Sequence, residues 1–261
     1  MSVTNAPRAW DLAWPDGEPY EDLPRGTLKS GKEAEIFLVE RRYAASGPRL
    51  LAHKRYRIRY PGKDELRAEG FSNATSFRRH ARYRGGWHVG ARERRALAAG
   101  NKSRHGQELA ARMWPVQEWT MLRRAWEGGV TVPCPLEQTP DGILMEFIGD
   151  AATLASAPKL AEARLEADAL AAASAQLLQN LRALTRVGLV HADLSAYNLL
   201  WWDERLVMID LPQAVEFTTN PDAFELLRRD VEKVAEWFGR RGRPLDVEAV
   251  YSELVGLAWF G

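Results

Sequence analysis

The chain has 261 residues, 46% of them hydrophobic, and a formal net charge of +1. That length and apolar content are enough to bury a full core in one or two domains. The near-neutral balance excludes a protein that is strongly basic or acidic overall, and a single cysteine, Cys134, excludes a disulfide framework or a thiolate metal cluster. No cationic start followed by an apolar run is visible at the N-terminus, and no stretch approaches 18 uncharged apolar residues. Neither a secretory signal nor a membrane span is therefore expected, and the reading is a cytoplasmic globular protein.

In chain order, residues 1–25 carry Pro, Gly and acidic residues and read as an irregular arm. "AEIFLVERR" (34–42) and "RLLAHKRYRI" (49–58) show partial alternation around the turn-like "AASGP", which predicts antiparallel strands. From Gly70 to His105 the chain holds nine Lys or Arg against one acid, Glu93, and reads as a basic loop or insertion over about 70–108. "ELAARMWPVQEWTMLRRAWEGG" has helical spacing, a stop at Gly128–Gly129, and Pro115 as a kink or a second start. "GILMEFIG" (142–149) reads as a strand and residues 160–187 as one amphipathic helix closed by Gly188. "YNLLWW" and "RLVMID" follow as short strands, and two helices close the chain. Strands early and helices late predict an α+β fold, with a β-rich lobe over 26–149 and a helical lobe over 150–261.

The chemistry is concentrated in "HADLSAYNLL" (191–200) and the later "VMIDLP". A hairpin there sets Asn198 and Asp210 together as hard oxygen donors and leaves Asp193 as a nearby free carboxylate. Two oxygen donors with room for water and phosphate oxygens suit Mg²⁺. The free carboxylate can orient or deprotonate a hydroxyl. His-x-Asp-x-x-x-x-Asn followed by an Asp at a strand end is the catalytic and metal-loop pattern of kinase-like phosphotransferases. His191 by itself is better read as a packed, hydrogen-bonded residue. Lys54 on the second strand and Glu118 on the next helix are the natural ion pair for the nucleotide phosphates. Gly26-x-x-x-x-Gly31-Lys32-Glu33 mimics a Walker A loop, but Glu33 replaces the Ser or Thr and a strand follows, so a P-loop NTPase is rejected. Only 51 residues follow Asp210, with no Ala-Pro-Glu. That leaves a trimmed kinase, either of the aminoglycoside phosphotransferase type or an atypical protein kinase.

The chain resembles the RIO family of atypical serine/threonine protein kinases, from about Gly26 to the C-terminus. The similarity is carried by "SGKEAEIF", "AHKRYR", "VQEWTMLRRA", "VPCPLE", "LMEFIG", "LVHADLSAYNLL", "IDLPQAVE" and "AFELLRRDVEKVAEWF". The resemblance implies a bilobal kinase-like fold without an activation segment. It also implies use of ATP with Mg²⁺ or Mn²⁺, serine autophosphorylation, and kinase or ATPase action in small-subunit ribosome maturation. Its residue assignments are Asp193 as catalytic base, Asn198 and Asp210 as metal ligands, and Asp210 as the site of a transient aspartyl phosphate. Nucleotide contacts fall on Ser30, Gly31, Lys32, Glu33, Lys54, Glu118 and the hinge Met145, Glu146, Phe147 and Ile148. Departures from the family pattern are Lys29-Ser30 in place of Ser-Thr, Glu35 in place of an Asn, and no winged-helix segment before the core; the Arg/Ala bias points to a bacterial member. The basic insertion interleaves Arg with Phe71, Phe77, Tyr83 and Trp87, and reads equally as an RNA or small-ribosomal-subunit contact and as a loop closing over ATP. Its hydroxyls Ser72, Thr75, Ser76 and Ser103 are the autophosphorylation candidates. Besides a protein kinase with an unknown protein acceptor, two other readings stay open: a small-molecule kinase and a nucleotide-gated RNA- or ribosome-binding module.

Overall fold

Alternating apolar positions and the turn at 44–46 fold the early segment into an antiparallel meander: β1 (Tyr20–Ser30), β2 (Ala34–Tyr43) and β3 (Gly47–Tyr56). The structure, a computed structural model, describes residues 14–31, 34–56 and 104–260, with side chains from Pro115 onward in the last range. Strands β4 (Pro135–Thr139) and β5 (Gly142–Glu146) complete a five-stranded sheet in the order β1-β2-β3-β5-β4. Helix α1 (Arg104–Glu127) crosses from this sheet toward the second lobe. That lobe holds α2 (Ala167–Arg186), α3 (Ala223–Gly239) and α4 (Val247–Phe260), with the short ladders β6 (Gly149–Asp150) with β7 (Ala155–Ser156), β8 (Leu189–Val190) with β11 (Val215–Glu216), and β9 (Leu199–Trp202) with β10 (Arg205–Met208). The α+β, two-lobed organisation expected from the sequence is the one observed.

Four boundaries differ from the sequence reading. β1 starts at Tyr20, inside the stretch expected to be irregular. Its Pro24 and Gly26 sit at a register shift on an edge strand, where a missing N–H is tolerated. Pairing with β2 fixes the strand: Arg41 makes two 2.7 Å bonds to Asp22 and stacks 3.7 Å from the Tyr20 ring. Helix α1 begins at Arg104, within the range expected for the insertion, and runs through Pro115 without ending. Residues 160–166 are not helical. The Leu160 and Ala161 amides donate to the Leu199 and Ala196 carbonyls, so this segment is held against the following loop and α2 starts at Ala167. Finally, "VPCPLEQT", between the expected helix stop and the strand at 142–149, yields strand β4 after a buried Cys134.

The core is unequally divided. One large cluster fills the helical lobe and reaches up to Met121, Leu122 and Ala125 of α1 and Ile143 of β5. The sheet carries two small clusters, one per face: Leu38, Ala52 and Phe147 on one side, and Val39, Leu51 and Leu144 on the other. Among the described residues no helix is long and apolar enough to cross a membrane.

Candidate active site

Lys54 lies on β3 between Ile36 of β2 and Ile143 of β5, so its position is set by ladders on both sides. Period-two alternation puts it on the same sheet face as Leu50 and Ala52, which belong to the cluster containing Leu38, Met145 and Phe147. The outcome is an apolar wall ending in one buried ammonium. Its Nζ lies 2.8 Å from Glu118 Oε1 on α1 and 2.7 Å from Asp210 Oδ1, just past β10. Burial works against this charge, but the Asp210 and Glu118 carboxylates outweigh burial and hold the lysine pKa above its usual value. Burial pushes the Glu118 carboxyl up to about 7, with the Lys54 charge pulling the other way. The predicted Lys54–Glu118 pair is therefore present, and Asp210 joins it as a third member.

The catalytic-loop residues are held by backbone chemistry more than by side-chain contacts with one another. His191 is buried and its Nε2 contacts the Ile209 carbonyl at 3.1 Å, in keeping with the packing role expected of it. Asn198 closes a 3₁₀ turn whose first bond is the Tyr197 amide donating to Ser195 Oγ, and its own Nδ2 donates to the Asp193 carbonyl at 2.8 Å. The Ile209 amide donates to the Asn198 carbonyl, which sets the two strands of the hairpin in register next to Asp210. Ala192 and Asp210 both occupy the left-handed region, at φ 65° and 66°. A non-glycine residue there is held by its surroundings, and such positions gather at functional sites.

Around the nucleotide-loop position, the Gly31 amide donates to the Ala34 carbonyl at 2.9 Å, and a Cβ at Gly31 would come within 3.1 Å of that oxygen. Ser30 Oγ donates to Glu35 Oε1 at 3.2 Å, so the extra carboxylate is engaged by the neighbouring hydroxyl. At the hinge, the Phe147 amide is taken by the Leu50 carbonyl and the Ile148 carbonyl by the Ala157 amide. The Glu146 side chain is buried, raised in pKa by that burial, and accepts the Cys134 amide at 3.1 Å, so it serves β4 and the preceding loop. Lys32, Glu33 and the autophosphorylation candidates Ser72, Thr75, Ser76 and Ser103 lie outside the described residues, as does the basic segment up to Ser103.

A residue that sequence reading did not single out organises the loop. Asp230 of α3 is buried and accepts the Ala192 amide at 2.7 Å and the Leu194 amide at 3.0 Å. Burial raises its pKa, opposed by His191 and by these two amides. From the preceding residue, Arg229 Nη2 donates to the Ala192 carbonyl at 2.6 Å. The available signal was an acid on the apolar stripe Leu226, Leu227, Val231 and Val234, where a charge without partners is not tolerated.

This geometry can be set against known proteins. A family model described as the RIO domain matches residues 72–250. The chain belongs to the RIO family. It is 38% identical over 152 residues to the RIO-type serine/threonine-protein kinase Rio1 of Haloferax volcanii, covering 58% of this chain and 51% of that protein. It is 28% identical over 226 residues to the serine/threonine-protein kinase RIO1 of Chaetomium thermophilum, covering 83% of this chain and 39% of that protein. The chain thus spans about half, or less, of these curated relatives. The fold is shared with the Rio2 kinase of Chaetomium thermophilum in its ADP/Mg²⁺-phosphoaspartate complex, at a TM-score of 0.55 and 18% identity, over 90% of this chain and 65% of that one. The resemblance read from the motifs is thereby established at the level of family and fold.

Proposed function

We propose that this chain is an ATP- and Mg²⁺-dependent serine/threonine phosphotransferase of RIO type, acting by autophosphorylation and on a protein acceptor. The observation that carries the reading is the buried Lys54 ammonium held between Glu118 at 2.8 Å and Asp210 at 2.7 Å, with Asp193 and Asn198 on the adjoining loop. A structural ion pair needs one carboxylate. A lysine set between two, at the end of an apolar sheet face, suits a cation that exchanges one acidic partner for phosphate oxygens.

The apolar face of Leu38, Ala52, Met145 and Phe147 would receive the base, with the backbone at 146–148 as hinge, and Lys54 and the turn at 30–31 would take the phosphates. Asn198 and Asp210 fit Mg²⁺ as a donor set, because both offer hard oxygens and the Asn198 amide commits its nitrogen to the Asp193 carbonyl. When bound, the ion would neutralise charge on the phosphate oxygens. Asp193, its side chain 42% exposed, would align the acceptor hydroxyl and receive its proton. The phosphoaspartate named in the Rio2 complex supports Asp210 as the position of a transient aspartyl phosphate. The family resemblance extends the proposal to a cytoplasmic role in small-subunit ribosome maturation, with the basic segment as the RNA or ribosome contact.

The test is incubation of the full chain with γ-labelled ATP and Mg²⁺, following protein-bound label and free phosphate, with Asp193→Ala and Asp210→Ala as controls. Label on Ser or Thr in the wild type, lost by orders of magnitude in both variants, is the expected result. Phosphate release with little stable label moves the output to an ATPase switch. Comparable turnover in Asp210→Ala rejects the proposal, and neither signal directs attention to a small-molecule acceptor.

A further inference from the structure

Helix α3 presents three polar residues, Arg229, Asp230 and Lys233, to the catalytic loop. Arg229 and Asp230 hold the loop backbone, and Lys233, one turn on, brings Nζ to 3.6 Å from Asp193 Oδ1. Gln213 Nε2 lies 3.4 Å from the other oxygen, Asp193 Oδ2. Each carboxylate oxygen therefore faces a different donor, one from α3 and one from the segment after Asp210. Ser195, two residues past Asp193, is occupied in capping the 3₁₀ turn. The cation at this carboxylate comes from α3.

We propose that Lys233 is a positioning residue of this site: together with Gln213 it fixes the plane and rotamer of the Asp193 carboxylate that aligns the acceptor hydroxyl. The proposal rests on the reading of Asp193 given above and deepens it. The geometry favours this role over a stabilising one. The two side chains are 40% and 42% exposed, and an ion pair so exposed contributes little to the fold. A carboxylate free to rotate would present its oxygen in several directions, and a misplacement of about 1 Å at the reacting group is enough to cost on the order of 100-fold in rate. Because Arg229 and Asp230 anchor the same turn of α3 to the loop, Lys233 reaches Asp193 from a fixed base.

The test uses the full chain with Lys233→Met, Lys233→Arg and Asp193→Asn, alone and combined, measuring transfer of label from γ-labelled ATP and binding of a fluorescent ATP analogue. Lys233→Met should lower kcat by about 10- to 100-fold while leaving the KM for ATP and the analogue's Kd within about twofold. Lys233→Arg should recover most of the rate, and the melting temperature of both should stay within about 2 °C of wild type. In the Asp193→Asn background, Lys233→Met should cause no further loss, because it acts through the group already removed. Wild-type kcat in Lys233→Met, multiplicative losses in the double variant, or a loss confined to ATP affinity would each overturn the proposal. If Asp193→Asn itself transfers phosphate normally, the functional reading fails and this one with it; if Asp193→Asn is impaired and Lys233→Met is not, only this one fails.

Discussion

The two lobes keep their shape by different means. In the helical lobe a single cluster of fully buried side chains, among them Leu177, Leu184, Leu194, Met208 and Phe238, surrounds the catalytic loop, and the loop's backbone is tied to a buried carboxylate behind it. In the sheet lobe the apolar content is split across two thin faces, and the strands are held by backbone ladders, with the buried Arg41 paired to Asp22 and Glu137. The difference teaches where precision resides. The groups that would act on an acceptor are mounted on the densely packed lobe, while the sheet contributes a wall and one lysine, whose carboxylate partners both come from elements that follow it in the chain. In the proposed reaction the sheet would thus be connected through Lys54, and the helical lobe through a backbone network.

The largest test of that contrast removes the connection. If the proposed role holds, Lys54→Met should lower phosphoryl transfer by at least about 100-fold, because a buried charge that would meet developing phosphate charge is removed. The fold should survive, as judged by circular dichroism, because Glu118 with its pKa near 7 can take up a proton once its partner is gone. Next in size, Asp230→Ala strands the Ala192 and Leu194 amides. A cost of about 2–4 kcal/mol is expected, read as a lowered urea midpoint together with lost transfer activity, and a fully stable, active variant would refute the backbone-network account. Third, the packing contrast can be measured directly. Leu177→Ala and Leu51→Ala both remove a fully buried leucine, but Leu177 sits inside the large cluster and Leu51 in a three-residue one. Both should fall within about 2–5 kcal/mol, with Leu177→Ala the costlier by about 1 kcal/mol, and the reverse order would contradict the division of the core.

The smallest effect is a test by pH at the junction of the lobes. Burial, with Glu146 nearby, pushes the Cys134 thiol up to about 12. Folding thus favours the protonated thiol, and the thiolate is scarce below that pH. At pH 8 about one molecule in 10⁴ would carry it, so a thiol reagent should label the native protein very slowly and the urea-unfolded chain rapidly. Raising the pH from 7 to 9 should speed native labelling about tenfold per unit, the signature of a thiol still far below its pKa.

Much of this architecture was legible from residue order. The strands β2, β3, β9 and β10 declared themselves by alternation or by bounded apolar runs, and α3 and α4 by helical spacing. Asp193, Asn198 and Asp210 were singled out by a short motif with fixed spacing, and Lys54 by its place on a strand ahead of the helix that carries Glu118. What escaped was structure fixed by partners distant in the chain. β1 reads as an arm because Pro24 and Gly26 are poor strand residues, and only pairing to β2 makes it a strand. The segment 160–166 has helical composition, yet its amides are committed to Ala196 and Leu199. Asp230 is marked locally only by lying on an apolar stripe and Lys233 not at all, since a charged residue on a helix is ordinarily solvated, and what they contact lies 36 to 40 positions earlier.

The tie from α3 to the catalytic loop also bears on how the molecule comes off the ribosome. Ala192 and Leu194 find their acceptor in Asp230, 38 and 36 residues later. At synthesis rates of about 5–20 residues per second, the loop waits roughly 2–8 seconds after its own translation before that carboxylate has been made. The sheet, β3 included, has been complete since Glu146. During that interval a nascent chain carries the apolar wall of the sheet and Lys54 but no fixed loop, so the proposed competence for transfer follows the sheet in time.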